Sequence, residues 1–277
     1  MNTATSKMPP IGFGTFPLTG AEATSAVETA LEVGFRHIDT AQMYENEDAV
    51  GEAIASSGVP RDELYIVTKV MPDCFTDAAF LPSVERSLDD LGLDRVDLLL
   101  VHWPTPGLPV EATVDYLVTA QERGLCSEIG VSNFNVPMME TAAAHAPILI
   151  VTNQVEFHPL LDQSRMLEAA RRCGVRLTAY CPLARGQALR NPVVHEIGKR
   201  IGRTPAQVVL RRILQQGVTV ISMSTKRANM AANLEIADFT LDEANMAAVS
   251  TLTATGHRLV DPAGVAPNWN ADTVSPG

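Results

Sequence analysis

A single (β/α)8 (TIM) barrel with its active site at the C-terminal ends of the strands is the fold this sequence predicts, and three observations predict it. Short β-branched or leucine-rich runs recur close to eight times, longer stretches of helical periodicity lie between them, and reactive polar residues stand at the ends of several runs. The strand candidates are Ile11–Phe13, Phe35–Asp39, Leu64–Lys69, Val96–His102, Glu128–Val131, Val151–Val155, Arg176–Tyr180 and Val218–Ile221. Between them Ala21–Val33, Ala78–Leu91, Gln163–Cys173 and Pro205–Gln215 carry helical spacing, often opened by Ser, Thr, Asp or Pro and closed by Gly. A doubly wound open sheet is the competing architecture, and it seats a dinucleotide on a Gly-x-Gly-x-x-Gly turn after its first strand. Here that strand runs into Gly12-Phe13-Gly14-Thr15 and lacks the third glycine, which favours the closed barrel.

The 277 residues fit one barrel, and no Pro/Ser/Gly-rich linker, charge block or low-complexity tract divides them, so one domain over 1–277 is expected. The stretch from about 256 to 277, with three prolines and Trp269, reads as a C-terminal loop. The chain is 46% hydrophobic and 19% charged, ample for a buried core. Its net charge of −11 repels nucleic acid and anionic lipid, so an anionic ligand must be held by local donors. Met1–Pro10 has no signal-type apolar core, and runs such as Val96–Val101 are far too short to span a bilayer; a cytoplasmic monomer is expected. Cys74, Cys126, Cys173 and Cys181 lack metal-ligand or Cys-x-x-Cys spacing and read as reduced, mostly buried thiols.

Barrel active sites gather at the C-terminal strand ends. Asp39 closes the second strand candidate, Tyr44 follows in the next loop, Lys69 ends the third and His102 ends the fourth. Taken singly, an Asp after a strand is often a helix cap, a strand-end Lys is often solvated and a lone His is usually a satisfied polar residue. Taken together they have a chemical logic. Lys69 follows Tyr65-Ile66-Val67-Thr68 and would enter the barrel mouth, where an unpaired ammonium is costly. An ammonium about 4 Å from a phenol, at an effective dielectric of roughly 20, is worth about 4 kcal/mol, or roughly three pKa units. On that reckoning Lys69 brings the Tyr44 phenol toward working pH, Asp39 fixes and neutralises Lys69, and His102 hydrogen-bonds a substrate oxygen. Such a set protonates a carbonyl oxygen as hydride reaches its carbon.

The stretch His37-Ile38-Asp39-Thr40-Ala41-Gln42-Met43-Tyr44-Glu45-Asn46-Glu47 resembles the aldo-keto reductase signature Asp-Thr-Ala-x-x-Tyr-x-Asn-Glu. The similarity continues through Gly130-Val131-Ser132-Asn133-Phe134, Asn153-Gln154-Val155-Glu156-Phe157-His158-Pro159 and Tyr180-Cys181-Pro182-Leu183, and runs from Pro9 to about Trp269. Its nearest flavour is the bacterial 2,5-diketo-D-gluconate reductase group. The resemblance implies NADP(H) or NAD(H) as cofactor and a small-molecule aldehyde, dicarbonyl or keto sugar as substrate, with no metal. It implies Tyr44 as general acid beside Asp39, Lys69 and His102. It also implies that Ser132, Asn133 and Gln154 bind the nicotinamide carboxamide, that Tyr180 stacks on the ring, and that Pro182 and Leu183 begin the loop over the pyrophosphate. The C-terminal loop is then expected over the active site.

Near the eighth strand the family pattern Ile-Pro-Lys-Ser, with an Arg five positions on and an Asn four further, is replaced by Ile221-Ser222-Met223-Ser224, Asn229 and Asn233. Ser224, Asn229 and Asn233 are still expected at the cofactor, but Met223 and Asn229 stand where a Lys and an Arg clamp the 2′-phosphate. The loss of two charge-assisted bonds at about 1.5–3 kcal/mol each predicts a reduced preference for the phosphorylated cofactor. Lys226 and Arg227 lie close enough in sequence to substitute. Phe16 and Met71 replace pocket tryptophans, while Trp103 is retained and Trp269 joins the pocket; the segment before Ile11 is short for a barrel-closing hairpin.

Two other function classes use the same residues. A metal-dependent barrel hydrolase would draw on His37, Asp39, Lys69, His102 and His158, but it leaves Tyr44, Ser132, Asn133 and Gln154 idle. A non-catalytic cofactor-binding barrel would keep the fold without turnover, against which stands the complete Asp39, Tyr44, Lys69, His102 set.

Overall fold

Parallel strands covered on both faces read as unbroken apolar runs, and Leu98, Leu99, Leu100 and Val101 are all almost wholly buried for that reason. The computed structural model describes residues 6–271. Its eight parallel strands close into one barrel in sequence order: β1 (Ile11–Gly14), β2 (His37–Asp39), β3 (Tyr65–Val70), β4 (Val96–Val101), β5 (Cys126–Ser132), β6 (Ile150–Glu156), β7 (Arg176–Tyr180) and β8 (Thr219–Ser222). Eight helices fill the crossovers, namely α1 (Gly20–Val33), α2 (Glu47–Ser56), α3 (Phe80–Leu91), α4 (Val110–Glu122), α5 (Val136–His145), α6 (Ser164–Cys173) and the pair α7 (Pro192–Ile201) and α8 (Pro205–Gln215). Two more, α9 (Arg227–Leu234) and α10 (Glu243–Ser250), follow β8. No helix among the described residues is long and apolar enough to cross a membrane.

The strand ends shift by up to two residues from the sequence expectation. Strand β5 starts at Cys126 rather than Glu128 because Cys126 pairs in register with Val96, a backbone match that exposed Ser127 hides in the sequence. Strand β3 runs one residue past Lys69 to Val70, and His102 stands just beyond β4, its backbone N–H donating to Val70 O at 2.9 Å. Cys126 is buried, but Cys74, Cys173 and Cys181 are half-buried, so the thiols are less enclosed than expected; all four are unpaired.

Two glycines make room inside the barrel. A Cβ on Gly12 would lie 2.6 Å from Ile221 Cδ1 and 2.9 Å from His37, and one on Gly130 would lie 2.7 Å from Leu100 Cδ2. Their missing side chains let larger neighbours meet at the axis. The bottom is sealed without a hairpin among the described residues. Met8 packs with Tyr65, Val67, Leu98, Leu100 and Val151. Its carbonyl accepts from Arg176 Nη1 at 2.9 Å, and Pro9 O lies 3.1 Å from His37 Nδ1.

Candidate active site

Side chains two apart on a strand face the same way, which sends His37 and Asp39 of β2 and Val67 and Lys69 of β3 into the barrel. Lys69 is wholly buried, and its Nζ donates to Asp39 Oδ1 at 2.7 Å, to Thr40 O at 2.7 Å and to the Tyr44 hydroxyl at 3.3 Å. Burial works against the ammonium, yet Asp39 and then Tyr44 outweigh it, and Lys69 is held above the usual lysine range. Tyr44 ends a short 3-10 turn, Gln42–Tyr44, braced from several sides. Gln42 Nε2 donates to Ser83 O and Ser87 Oγ, both at 3.0 Å, while Gln42 Oε1 accepts from Met71 N at 3.0 Å. Asn46 accepts from Thr40 Oγ1 at 2.6 Å and donates to Leu18 O at 2.7 Å. Buried Glu47 takes hydrogen bonds from Thr68 and Ser87. These braces belong to the signature stretch, but the sequence did not separate them from residues acting on a ligand.

One expectation is corrected here. Burial pushes the Tyr44 phenol up, Lys69 pulls it down by less, and nearby Asp39 pushes it up again, so the phenol stands above its ordinary value rather than near neutrality. The sequence estimate counted the ammonium alone and left out both desolvation and the carboxylate paired with that ammonium. His102 faces Tyr44 edge-on at 5.5 Å between ring centroids. Burial, then Lys69, holds its pKa down to about 3, and its Nδ1 has no hydrogen-bond partner. The imidazole is therefore neutral at working pH.

A second group continues from this one. Gln154 Nε2 donates to Asp39 Oδ2 at 2.7 Å, which leaves the amide oxygen of Gln154 as its available acceptor. Ser132 Oγ donates to Gln154 O at 2.9 Å. Asn133, in the left-handed region at φ 61°, donates to His102 O at 2.9 Å and Ser132 Oγ at 3.2 Å, and accepts from the Tyr180 hydroxyl at 2.8 Å. Beyond Tyr180, Cys181, Ala184 and Arg185 all take positive φ between 48° and 51°, so three of the five such non-glycine residues in the described structure fall in this one loop. Left-handed non-glycine residues persist where the surroundings hold them, commonly at ligand clamps. Pro182 is buried and Leu183 half-buried in the same loop.

The remaining predicted residues form two further sets. Ser224 Oγ accepts from Lys226 N and Asn229 Nδ2, each at 3.2 Å, on the rim after β8, whereas Asn233 is buried below and donates to Ser222 Oγ at 3.2 Å. Met223 is exposed, and Arg227 Nη1 is committed to Glu32 Oε2 at 2.5 Å. Phe16 lies 5.1 Å from the Tyr44 ring, and buried Trp103 meets Trp269 of the C-terminal loop edge-on at 6.4 Å. Met71 is half-buried directly after β3. The residues of the metal reading do not converge, since His37 turns to Pro9 O and His158 Nε2 lies 2.8 Å from Glu156 Oε1. Among the described residues no cluster of three His, Cys, Asp or Glu could hold a metal ion.

The model of the aldo/keto reductase family matches residues 10–254. The chain belongs to the aldo/keto reductase family. This aldo/keto reductase is 44% identical over 266 residues to methylglyoxal reductase DkgB of Salmonella typhi, covering 95% of this chain and 99% of the relative. It is 41% identical to an aldo-keto reductase of Mycobacterium avium over 93% of this chain and 90% of that one. A crystal structure described as a candidate 2,5-diketo-D-gluconic acid reductase B superposes with TM-score 0.93 at 46% identity, covering 95% and 94% of the two chains. The aldose reductase of Schistosoma japonicum superposes with TM-score 0.86 at 31% identity, over 91% and 90%. As a family member the chain is an NAD(P)H-dependent oxidoreductase that acts on carbonyl compounds.

The sequence missed two residues that the structure brings to this rim. Glu156, at the end of β6, is wholly buried and accepts from Leu259 N at 2.7 Å and Val260 N at 2.8 Å, tying the C-terminal loop to the barrel. Arg258, in that loop, places its guanidinium carbon 3.9 Å from the centre of the Trp269 ring. Glu156 and His158 share a strand-spacing signal that could have found the clasp; Arg258 carries no local signal.

Proposed function

We propose that this aldo/keto reductase reduces a small aldehyde or α-oxoaldehyde of the methylglyoxal type, with Tyr44 delivering the proton to the carbonyl oxygen. The observation that carries this reading is the buried chain Asp39, Lys69, Tyr44 facing a neutral His102. NADH or NADPH fits the donor set beside it. The free amide oxygen of Gln154, the Ser132 hydroxyl and the Asn133 amide match a carboxamide, and Tyr180, steadied by Asn133, offers a ring face. The bound nicotinamide supplies hydride.

The protein's own part is proton management. A developing alkoxide is a far stronger base than a phenolate, so the Tyr44 phenol, even raised by burial, still gives up its proton downhill. Lys69 then stabilises the phenolate at 3.3 Å, and Asp39 keeps that ammonium in place. His102, neutral and beside Tyr44, orients the carbonyl oxygen by hydrogen bonding rather than by giving a proton. Phe16, Met71, Trp103 and Trp269 wall the pocket with apolar surface.

The cofactor reading follows from the rim after β8. Met223 and Asn229 offer no cation, and Arg227 is paired with Glu32 at the exposed surface. Exposed Lys226 is the cation left near Ser224. We infer that NADH is used at least comparably to NADPH. The test is nicotinamide absorbance with methylglyoxal and a panel of simple aldehydes, using both cofactors. Oxidation of either cofactor that depends on the aldehyde is expected. Purified enzyme that binds cofactor but never oxidises it across the panel sinks the reductase reading, and a preference for NADPH above about a hundredfold sinks the cofactor reading.

A further inference from the structure

Charge is distributed very unevenly along this acidic chain. The stretch from Arg165 to Arg227 holds 13 of the 21 lysines and arginines but only two of the 32 acids, Glu168 and Glu196, so it carries a surplus of 11 positive charges and leaves the rest of the chain at −22. Glu22–Asp97 is its counterpart, with 17 acids against five lysines and arginines. The basic stretch supplies α6, β7, α7, α8, β8 and the start of α9, and the acidic stretch supplies α1, α2 and α3. Because the strands close in sequence order, β6 and β7 stand across the barrel from β2 and β3, which puts the two stretches on opposite flanks. Some of the basic charge is spent: Arg172 pairs with Glu140, Arg203 with Glu235 and Arg227 with Glu32. Arg176, Arg211 and Arg212 bond to the neutral oxygens Met8 O, Ile236 O and Ser250 Oγ and keep their charge. Arg171, Arg190, Lys199 and Lys226 are exposed, and no carboxylate among the described residues pairs with them.

We propose that this basic flank is an electrostatic guide that draws the anionic nicotinamide dinucleotide onto the rim of β6, β7 and β8, against an overall charge that would repel it. The inference rests on the reading that Gln154, Tyr180 and Ser224, at the ends of those strands, face the cofactor. A field differs from a contact in what it changes. Separated charges act on the approaching ligand and raise the association rate by about 10- to 1000-fold at low salt, whereas release is governed by the groups that touch the bound molecule. The sign of the salt effect separates the two charge arrangements. A body of uniform charge −11 repels a diphosphate, so screening would speed association; a segregated body attracts it at one flank, so screening slows association. The guide needs no clamp on a 2′-phosphate and acts on total ligand charge. It therefore acts more strongly on NADPH, whose extra phosphate adds about 1.5–2 negative charges.

The test is stopped-flow quenching of protein fluorescence by NADH and by NADPH, read on Trp103 and Trp269, the two tryptophans of the chain, which meet at the pocket wall. Between about 10 mM and about 500 mM NaCl the association rate constant for NADH should fall by about tenfold or more, that for NADPH should fall more steeply, and both dissociation rate constants should stay within about twofold. Association that is flat or faster in high salt overturns the proposal. Placement is tested with two triple variants that change net charge equally. Arg171→Glu with Arg190→Glu and Lys199→Glu reverses exposed cations of the basic flank, and Arg86→Glu with Arg95→Glu and Arg123→Glu reverses exposed cations elsewhere on the barrel. The first should slow association by about tenfold at low salt, with the difference gone at high salt; the second should slow it far less. Equal slowing in both would mean that net charge alone matters, and a faster dissociation in the first would mean direct contacts; either refutes the guide. Should the first variant fail to fold, the salt series on the unsubstituted enzyme decides the matter by its sign. An enzyme that binds neither cofactor removes the reductase reading and this inference together. One that oxidises cofactor with methylglyoxal yet associates with it independently of salt removes this inference alone.

Discussion

The Lys69 ammonium meets the Tyr44 hydroxyl at 3.3 Å, while Asp39 Oδ1 and Thr40 O take its other two protons at 2.7 Å each. The two short bonds fix the nitrogen, and the longer one is left to tighten as negative charge grows on the phenol oxygen. An interaction that strengthens along the reaction is the kind that raises kcat rather than merely lowering KM.

Tyr44→Phe should therefore cut carbonyl reduction by about a hundredfold or more, the scale of lost general acid catalysis. Cofactor affinity should stay within about twofold, because Ser132, Asn133, Gln154 and Tyr180 bond to one another and to Asp39 without using the phenol oxygen. Steady-state rates and cofactor titration on the same preparation check it. Full activity in Tyr44→Phe would remove the proton-donor assignment.

The pH response follows from two groups of opposite kind. Tyr44 must be protonated to donate and its phenol is raised, so kcat/KM should fall only at alkaline pH, as pH rises through that elevated value. His102, held down to about 3 by burial and by Lys69, should add no inflection between about pH 5 and 8. Its effect on stability has the opposite sense. Its folded pKa lies below the unfolded value of about 6.5, so its contribution is fully present above about 6.5 and is lost as pH falls toward about 3, at up to about 1.4 kcal/mol per pH unit. His37, also lowered chiefly by burial, adds to the same acid limb. Urea melts at pH 7 and pH 5 should show a smaller drop for His102→Gln than for the unsubstituted enzyme, and an equal drop would contradict the assignment.

The barrel was legible because strand burial and helix amphipathicity repeat along the chain; all eight strand candidates overlap observed strands, and closure follows from their order. Asp39, Lys69 and His102 were legible because a reactive residue at the end of an apolar run is unusual by itself. What stayed hidden depends on contacts distant in sequence. The bond from Gln154 to Asp39 spans 115 positions and the clasp from Val260 to Glu156 spans 104, and neither has a local pattern. The Tyr44 phenol was misjudged for a related reason, because a spacing argument counts a neighbouring charge but cannot weigh desolvation.

Cofactor choice can be moved at the rim after β8. Met223→Lys with Asn229→Arg restores two cations beside Ser224, and Glu32→Gln frees Arg227 from its 2.5 Å partner. The double substitution should shift the ratio of kcat/KM for NADPH over NADH by about a hundredfold or more, since each charge-assisted bond is worth about 1.5–3 kcal/mol. Glu32→Gln alone should shift it by a smaller factor in the same direction, because it adds no new donor. Parallel assays with one aldehyde measure both, and no shift in the double variant would place the 2′-phosphate elsewhere.

At the far end of the barrel, Met8 offers a change of stability separable from chemistry. Its side chain is 3% exposed and fills the space among Tyr65, Val67, Leu98, Leu100 and Val151, where no hairpin among the described residues covers it. Met8→Ala removes those contacts and opens a cavity that the closed sheet cannot collapse, at a cost of about 2–5 kcal/mol. The carbonyl that accepts from Arg176 belongs to the main chain and survives the substitution, so the loss should come from packing alone. Denaturant midpoints should fall accordingly, while kcat/KM per folded molecule stays unchanged, because the reacting groups sit at the opposite strand ends. A variant as stable as the original would show that the segment before β1 contributes little to closure, and one that is stable but slow would show that the bottom of the barrel reaches the site through the shared interior of Val67 and Lys69.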